Sequence, residues 1–326
     1  MGAQLRELRQ RIRSVDSTRK ITRAQELIAA SRIMKAQYQA SAAQPYSRAL
    51  VAALEAAAAR ARLDHPLLEG TGAPRRSAML VVTSDRGFAG AYSSNVIRQS
   101  EALRGLLEEQ GQEVLSYVVG AKGVGWFRFR GREMEGDYTG FSGTPKYSDA
   151  RRIAADLLNA INTSTDEGGV DEIHVVSTHF KSMVSQEVQA RRLFPIVVED
   201  VPESLHQAED GAVRDESGVS GTQRAEVSAA SDQPLPLYDF EPSAEEVLDA
   251  LLPQYAGNLV YTTLLDAAAS EWAARQRAMK AATDNAGELK LTLSRQANSA
   301  RQAEITQEIS EIVGGVEALS SAGSDM

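Results

Sequence analysis

The chain has 326 residues, no cysteine and a net charge of −9, which excludes disulfides and thiolate metal centres. Nowhere do 18 consecutive apolar residues occur, and the opening MGAQLRELRQRIRS has no apolar core of signal-peptide kind, so neither a membrane span nor a leader is expected. The 43% hydrophobic content leans on alanine while aromatics are 6%, a composition that favours helix but buries little surface per residue.

Residues 2–60 carry helix-forming sequence almost free of breakers, enough to span about 90 Å at 1.5 Å per residue. Leu5, Leu8, Ile12 and Val15 step at heptad spacing, a seam for a partner helix. Arg19 and Thr22 continue that seam, and the stripe then passes to Ala24, Ile28 and Ser31, small enough for close backbone approach. Pro45 is expected to distort the helix locally, and His65-Pro66 with Gly70 and Gly72 to end it.

The middle of the chain changes period. Ser77–Thr83 reads as a buried strand, followed by the glycine loop Ser84–Gly90 and a helix to about Gln110. Glu113–Val119 and Glu172–Phe180 read as strands, Ser148–Ile161 as a helix, and Val184–Val198 as holding more strand. Alternating strands and helices predict a parallel sheet with crossover helices. Residues 199–236 lack periodicity and read as a flexible acidic insert, with nine acidic residues against two arginines between Glu199 and Asp232.

A short helix is expected after Pro242, with Ser243 as its N-cap, and a separate long helix from near Pro253 to about residue 319, spanning about 100 Å. Leu289 and Leu293 share a face there, and Ile309, Ile312, Val316 and Leu319 repeat heptad spacing. Neither terminal helix can bury its stripe in so small a middle domain, so the two are expected to pair. The predicted fold class is α+β or α/β: a long antiparallel two-helix coiled coil from both termini plus a Rossmann-like α/β domain. Its boundaries are 1–65 for the first helix, 66–198 for the α/β domain, 199–241 for the insert and 242–326 for the C-terminal helices.

Chemistry-bearing motifs are sparse. The glycine loop lacks both G-x-G-x-x-G and G-x-x-x-x-G-K-[ST] and contains no lysine, so it predicts a βα turn rather than a phosphate cradle. His174 and His179 are five apart on one strand and point to opposite faces, which rules out shared chelation. No paired carboxylates specify acid–base chemistry. Residues 1–35 hold nine Lys/Arg against three Asp/Glu, a basic helix inside an acidic chain that suits an acidic protein surface, nucleic acid or anionic lipid.

Arg11–Ala24 (RIRSVDSTRKITRA), with Ala29-Ala30-Ser31, Lys35 and Ala36-Gln37, resembles the opening helix of the γ subunit family of F-type ATP synthases. Thr83-Ser84-Asp85-Arg86-Gly87, with Gly90 and Asn95, is similar to that family's first βα turn. Ser270-Glu271, Met279–Ala286 (MKAATDNA), Ala300–Ala303 (ARQA), Ile305–Glu308 (ITQE) and Glu311-Ile312 resemble its last helix. The resemblance runs in order over nearly the whole chain outside 199–236.

It implies a rotor shaft seated in a hexamer of α and β subunits, with a foot on the ε subunit and the ring of c subunits. Proton flow would turn the ring, and the asymmetric shaft would drive each catalytic β subunit through its nucleotide affinities. It further implies no catalytic residue, cofactor or metal in this chain, no nucleic-acid partner, and peripheral placement on the cytoplasmic face of a bacterial membrane through the c-ring. Lys20, Arg23, Arg275, Arg301, Gln302, Thr306 and Glu308 match positions of β-subunit contact. Gln25 stands where methionine is common, and Thr163–Glu172 and the acidic insert look like additions, read as solvated loops. From the residues alone, two alternatives stay open: a coiled-coil scaffold or nucleic-acid-binding rod with a degenerate α/β domain, and an enzyme using the glycine loop. If the insert is a linker, deleting 205–233 leaves assembly with α and β subunits intact, as copurification would show; loss of the complex identifies a docking element instead.

Overall fold

The computed structural model describes residues 2–58, 72–196, 223–224, 241 and 243–322. The elements are α1 (Gly2–Ala58), β1 (Arg76–Val82), α2 (Tyr92–Glu109), β2 (Glu113–Val119), α3 (Ala121–Phe129), β3 (Gly136–Tyr138), α4 (Tyr147–Asn162), β4 (Glu172–Phe180), β5 (Gln186–Phe194), β6 (Gln223–Arg224) and α5 (Ala244–Ala322). They divide into two compact units, one of residues 1–29 with 276–326, the other of residues 30–275. Leu50, Leu54 and Ala57 of α1 and Leu248, Leu252, Tyr255 and Leu264 of α5 belong to the core of the sheet-bearing unit.

That unit is built on a sheet of order β3-β2-β1-β4-β5-β6. The β1–β2, β1–β4 and β2–β3 pairs are parallel, whereas β5 lies antiparallel to β4, a departure from the all-parallel expectation. The reason is local: only Lys181–Ser185 joins β4 to β5, and a parallel return needs a crossover of a dozen or more residues. Strand β1 is apolar at consecutive positions because both its faces are covered. Ala78, Leu80 and Val82 face α1, α4 and α5, while Met79 and Val81 face α2 and α3 through Val96, Leu103, Val124 and Phe127. Truncating a fully buried side chain such as Leu80 to alanine should cost about 2–5 kcal/mol.

Short elements escaped the sequence pattern. Helix α3 and the three-residue β3 carry no clear period, and both exist because β2 and α2 offer them a surface. Residues 163–171 are pinned rather than merely solvated: Thr165 donates to Asp171 Oδ1 (2.6 Å), and Asp171 Oδ2 accepts from the backbone N–H groups of Arg75 and Arg76 at 2.7 and 3.0 Å. Pro253 does not start a new helix; it lies inside α5. An interior proline costs about 3 kcal/mol, and here the buried Leu248, Leu252, Tyr255 and Ala256 around it hold the helix to the core. Ser243 is the cap, accepting from Glu246 N–H at 3.2 Å. Pro45 likewise lies within α1. The helix end expected near His65-Pro66 and the acidic insert fall outside the described residues, apart from Gln223–Arg224 and Glu241.

In the other unit the two helix ends run antiparallel. Asp16 accepts from Lys290 Nζ at 2.6 Å, and the hydroxyls of Thr22 and Thr283 lie 2.8 Å apart. Over residues 4–29 of α1 the less exposed positions include Leu5, Leu8, Ile12, Val15, Arg19, Thr22, Glu26 and Ala29, an alternation of three and four, with Asp16 beside Val15. The seam therefore continues through Glu26 and Ala29, and Ala24, Ile28 and Ser31 are exposed, which corrects the expected change of face. Glu26 is tolerated there because Arg23 Nη1 donates to its Oε1 at 2.8 Å. On α5 the buried positions are Met279, Ala286, Leu293 and Ala297, while Leu289 is half exposed. Because no native cysteine competes, oxidising the variant Thr22→Cys/Thr283→Cys should give an intramolecular disulfide, seen as a gel shift reversed by reductant. Absence of the crosslink would overturn this register.

Candidate functional site

The pairing of Asp16 with Lys290 and Thr22 with Thr283 brings Gly2 level with about Glu304. Beyond that point no described residue of α1 lies level with α5. Ile305, Ile309, Ile312, Val313 and Val316 are consequently exposed, although their heptad spacing matches a seam. Thr306 and Glu308 lie on this final stretch with exposed side chains, and Arg301 and Gln302, also exposed, lie just before it. Helix α5 thus presents a mixed apolar and polar surface that no other described residue of its own unit covers.

Lys20 and Arg23 are exposed on α1, but at a different level. By the same register Arg301 stands opposite about Leu5, so the two groups are roughly 25 Å apart along the helices. They form two exposed bands rather than one cluster. Lys20 pairs with Asp16 at 3.1 Å, and Arg23 with Glu26 at 2.8 Å. Hydrogen bonds from Lys290 and Lys20 hold the Asp16 carboxyl down to about 2, below its usual 3.8. Sequence reasoning missed this bridge, although Asp16 beside the seam residue Val15 was the available signal.

Arg275 differs from the other six candidates. It is 4% exposed, and its Nη2 pairs with Glu271 Oε1 at 2.8 Å on the same helix. Its guanidinium also donates to the carbonyls of Arg86 and Gly87 at 3.2 and 3.3 Å and lies over the Trp272 ring, 4.6 Å from its centre. A guanidinium so enclosed has no free face for another subunit. Arg275 is thus enclosed within its own unit, unlike the six exposed candidates. Burial pushes the Glu271 carboxyl up, against the opposing pull of Arg275.

The glycine loop shows why a phosphate has no place there. Its Arg86 and Gly87 carbonyls point at the Arg275 cation, the reverse polarity of an anion cradle. The first amides of α3 are likewise occupied: Ala121 N–H by Asp85 Oδ1 (3.0 Å), Lys122 N–H by Ser84 O (3.0 Å) and Gly123 N–H by Thr83 Oγ1 (2.9 Å). Thr83-Ser84-Asp85 is thus a cap supplied across the sheet. Burial would raise the Asp85 carboxyl, yet the N–H groups of Gly140, Ser142 and Ala121 outweigh it and leave it lowered. Gly120 is required at the joint: its φ is +95°, and a Cβ would lie 2.4 Å from Thr83 O.

His174 and His179 find separate partners, Glu172 at 3.1 Å and Asp266 at 2.6 Å. Among the described residues no group of three or more His, Asp or Glu is placed to hold a metal. No helix among them is long and apolar enough to cross a membrane.

The described residues thus form a capped α/β domain and a polar two-helix unit. The family model described as ATP synthase matches residues 4–319. The "ATP synthase gamma chain" of Thermobifida fusca (strain YX) is 53% identical, with 100% of both chains covered. That of Streptomyces coelicolor is 50% identical over the same shares. The chain belongs to the ATP synthase family, among its gamma chains. Among solved structures, a chain of the Euglena gracilis mitochondrial ATP synthase (OSCP/F1/c-ring) matches with a TM-score of 0.62 at 16% identity, covering 100% of this chain and 97% of that one. A chain of the Tetrahymena thermophila mitochondrial enzyme's central stalk/c-ring matches with a TM-score of 0.53 at 19% identity, covering 80% and 99%. The family assignment displaces both the scaffold or nucleic-acid alternative and the enzyme alternative.

The Asp16 bridge gives a pH dependence. A carboxyl held lower in the folded chain than in the unfolded one stabilises above the unfolded value and loses that contribution as pH falls towards the folded value. The gap in melting temperature between wild type and Asp16→Asn should therefore be full above about pH 4 and close towards pH 2. A gap that does not change over that range would show that the bridge contributes nothing.

Proposed function

We propose that the two-helix unit is the bearing and torque-transmitting part of the ATP synthase rotor, seated within the hexamer of α and β subunits. The carrying observation is the stretch of α5 beyond Glu304. It extends past the level of Gly2, the first described residue of α1, and exposes Ile309, Ile312 and Val316 with Thr306 and Glu308, while Arg301 and Gln302 lie exposed just before it. A surface that must turn inside its partner favours shallow contacts that form and break, and long polar side chains on a slender helix supply them. Lys20 and Arg23 form a second band on α1, suited to acidic β-subunit segments.

The sheet-bearing unit is the foot, taking the ε subunit and the ring of c subunits as partners. Proton flow turns the ring, the rotor follows, and each β subunit passes through its nucleotide affinities in turn; ATP hydrolysis drives the reverse. The chain contributes no catalytic residue and binds no cofactor in this role. Its association with the membrane is peripheral, through the c-ring, on the cytoplasmic face of a bacterial cell membrane. The division into a first helix, α/β foot, insert and C-terminal helices describes the order of the chain, with the foot recruiting helix from both ends.

Arg301 and Gln302 carry the test. Arginine offers five donors in a fixed fork, which suits carboxylate or carbonyl partners that come and go. In an assembled complex, Arg301→Ala/Gln302→Ala should lower both ATP synthesis and ATPase rate. Folding of the free chain should change by less than about 0.5 kcal/mol, because the replaced side chains are exposed. Normal turnover in the double variant would reduce these residues to a solvated face.

A further inference from the structure

Between Asp266 and Arg275, helix α5 is held to the sheet-bearing unit by directional hydrogen bonds as well as by packing. Asp266 accepts from Phe180 N–H at 3.0 Å and pairs with His179 at 2.6 Å. Ser270 donates to Thr178 O at 3.1 Å, and Trp272 Nε1 to Gly143 O at 2.7 Å. Arg275 grips Arg86 O and Gly87 O, with Glu271 fixing its fork. From the other side, the Tyr92 hydroxyl donates to Ala267 O at 3.1 Å.

These groups hold three places at once: the end of β4, the β1–α2 loop and the loop after β3. At 100° per residue, positions 266, 270, 271, 275 and 272 leave the helix over an arc of roughly 240°. A turn of α5 by ~20° about its axis would move side-chain atoms ~6 Å from that axis by about 2 Å. Apolar ridges can slide that far, but a hydrogen bond cannot. The buried Glu271–Arg275 pair is costly as a stability device, since two ions at 2% and 4% exposure lose most of their hydration. Direction is what the pair supplies.

We propose that this ring of bonds is a torsional clamp, in which Arg275 and Glu271 are positioning residues that fix the rotation of α5 against the sheet. Torque entering the sheet-bearing unit then reaches α5 without slip. The clamp rests on the rotor reading above and adds to it the place where helix and sheet are locked.

The test uses the assembled complex in liposomes, reading protons pumped per ATP hydrolysed. A second reading is the angular spread of a probe on the c-ring while the hexamer is stalled. Glu271→Leu/Arg275→Met replaces the pair with apolar groups of similar size, an exchange that tends to preserve stability. It should keep the wild-type melting temperature, widen the angular spread and lower the pumping ratio. Arg275→Lys keeps the charge but loses the fork, and should give a smaller widening. An assembled double variant with wild-type spread and ratio overturns the clamp. If the double variant does not assemble, Arg275→Lys decides: widening supports the clamp and a wild-type spread overturns it. A lowered melting temperature with unchanged spread also overturns it, because the bonds would then serve stability alone. A wild-type spread alongside reduced turnover in Arg301→Ala/Gln302→Ala removes the clamp and leaves the rotor reading; wild-type behaviour in both removes both.

Discussion

The antiparallel register set by Asp16 with Lys290 and Thr22 with Thr283 is the constraint on which the functional surface depends. It brings Gly2, the first described residue of α1, level with about Glu304, and beyond that no described residue of the unit covers α5. A shift by one heptad would cover or bare another turn or two, moving the exposed polar residues with it. The register itself rests on few strong contacts. Met279, Ala286, Leu293 and Ala297 are mostly small or slender, so polar pairs at defined heights select one alignment among several that apolar packing would accept.

The sheet-bearing unit solves a different problem. An α/β domain with a glycine loop after its first strand has the outline of a phosphate-binding fold. Here the features that would bind an anion are neutralised from within. Asp85 occupies the first amide of α3, and Arg275 turns the loop carbonyls to its own use. One glycine loop can thus serve as a catalytic cradle or a structural joint, and the difference lies in a few side chains that arrive from elsewhere in the chain. The nucleotide chemistry of the enzyme is left to other subunits.

Charge follows the same division. The chain is acidic overall, yet residues 1–35 are basic, and Lys20 and Arg23 remain exposed although each has a carboxylate neighbour on the same helix. Exposed pairs of this kind contribute little to folding. What they present is a positive potential, of the sign that favours acidic surfaces.

Much of this was legible in the sequence because it is periodic or compositional. Strands β2 and β4 fall on the residues their apolar pattern marks, and β1 and α4 within a residue of them. The heptad from Leu5 to Thr22 is the observed seam. The motifs near both ends, which have no local structural explanation, pointed to the family. What the sequence could not supply depends on residues far apart meeting. The continuation of the seam through Glu26 becomes visible only with the Arg23 pair in place. The continuity of α5 through Pro253 depends on a core that outweighs a local penalty. The antiparallel turn of β5 and the existence of β3 are decided by neighbouring strands. Arg275 shows the limit most clearly. In sequence it is one more cation on a charged helix; in the fold, Glu271, Trp272 and two loop carbonyls from 188 and 189 residues earlier enclose it. Periodicity reports which side of a helix is apolar, but only tertiary structure decides whether a charge on that helix meets solvent, a partner or the interior of its own chain.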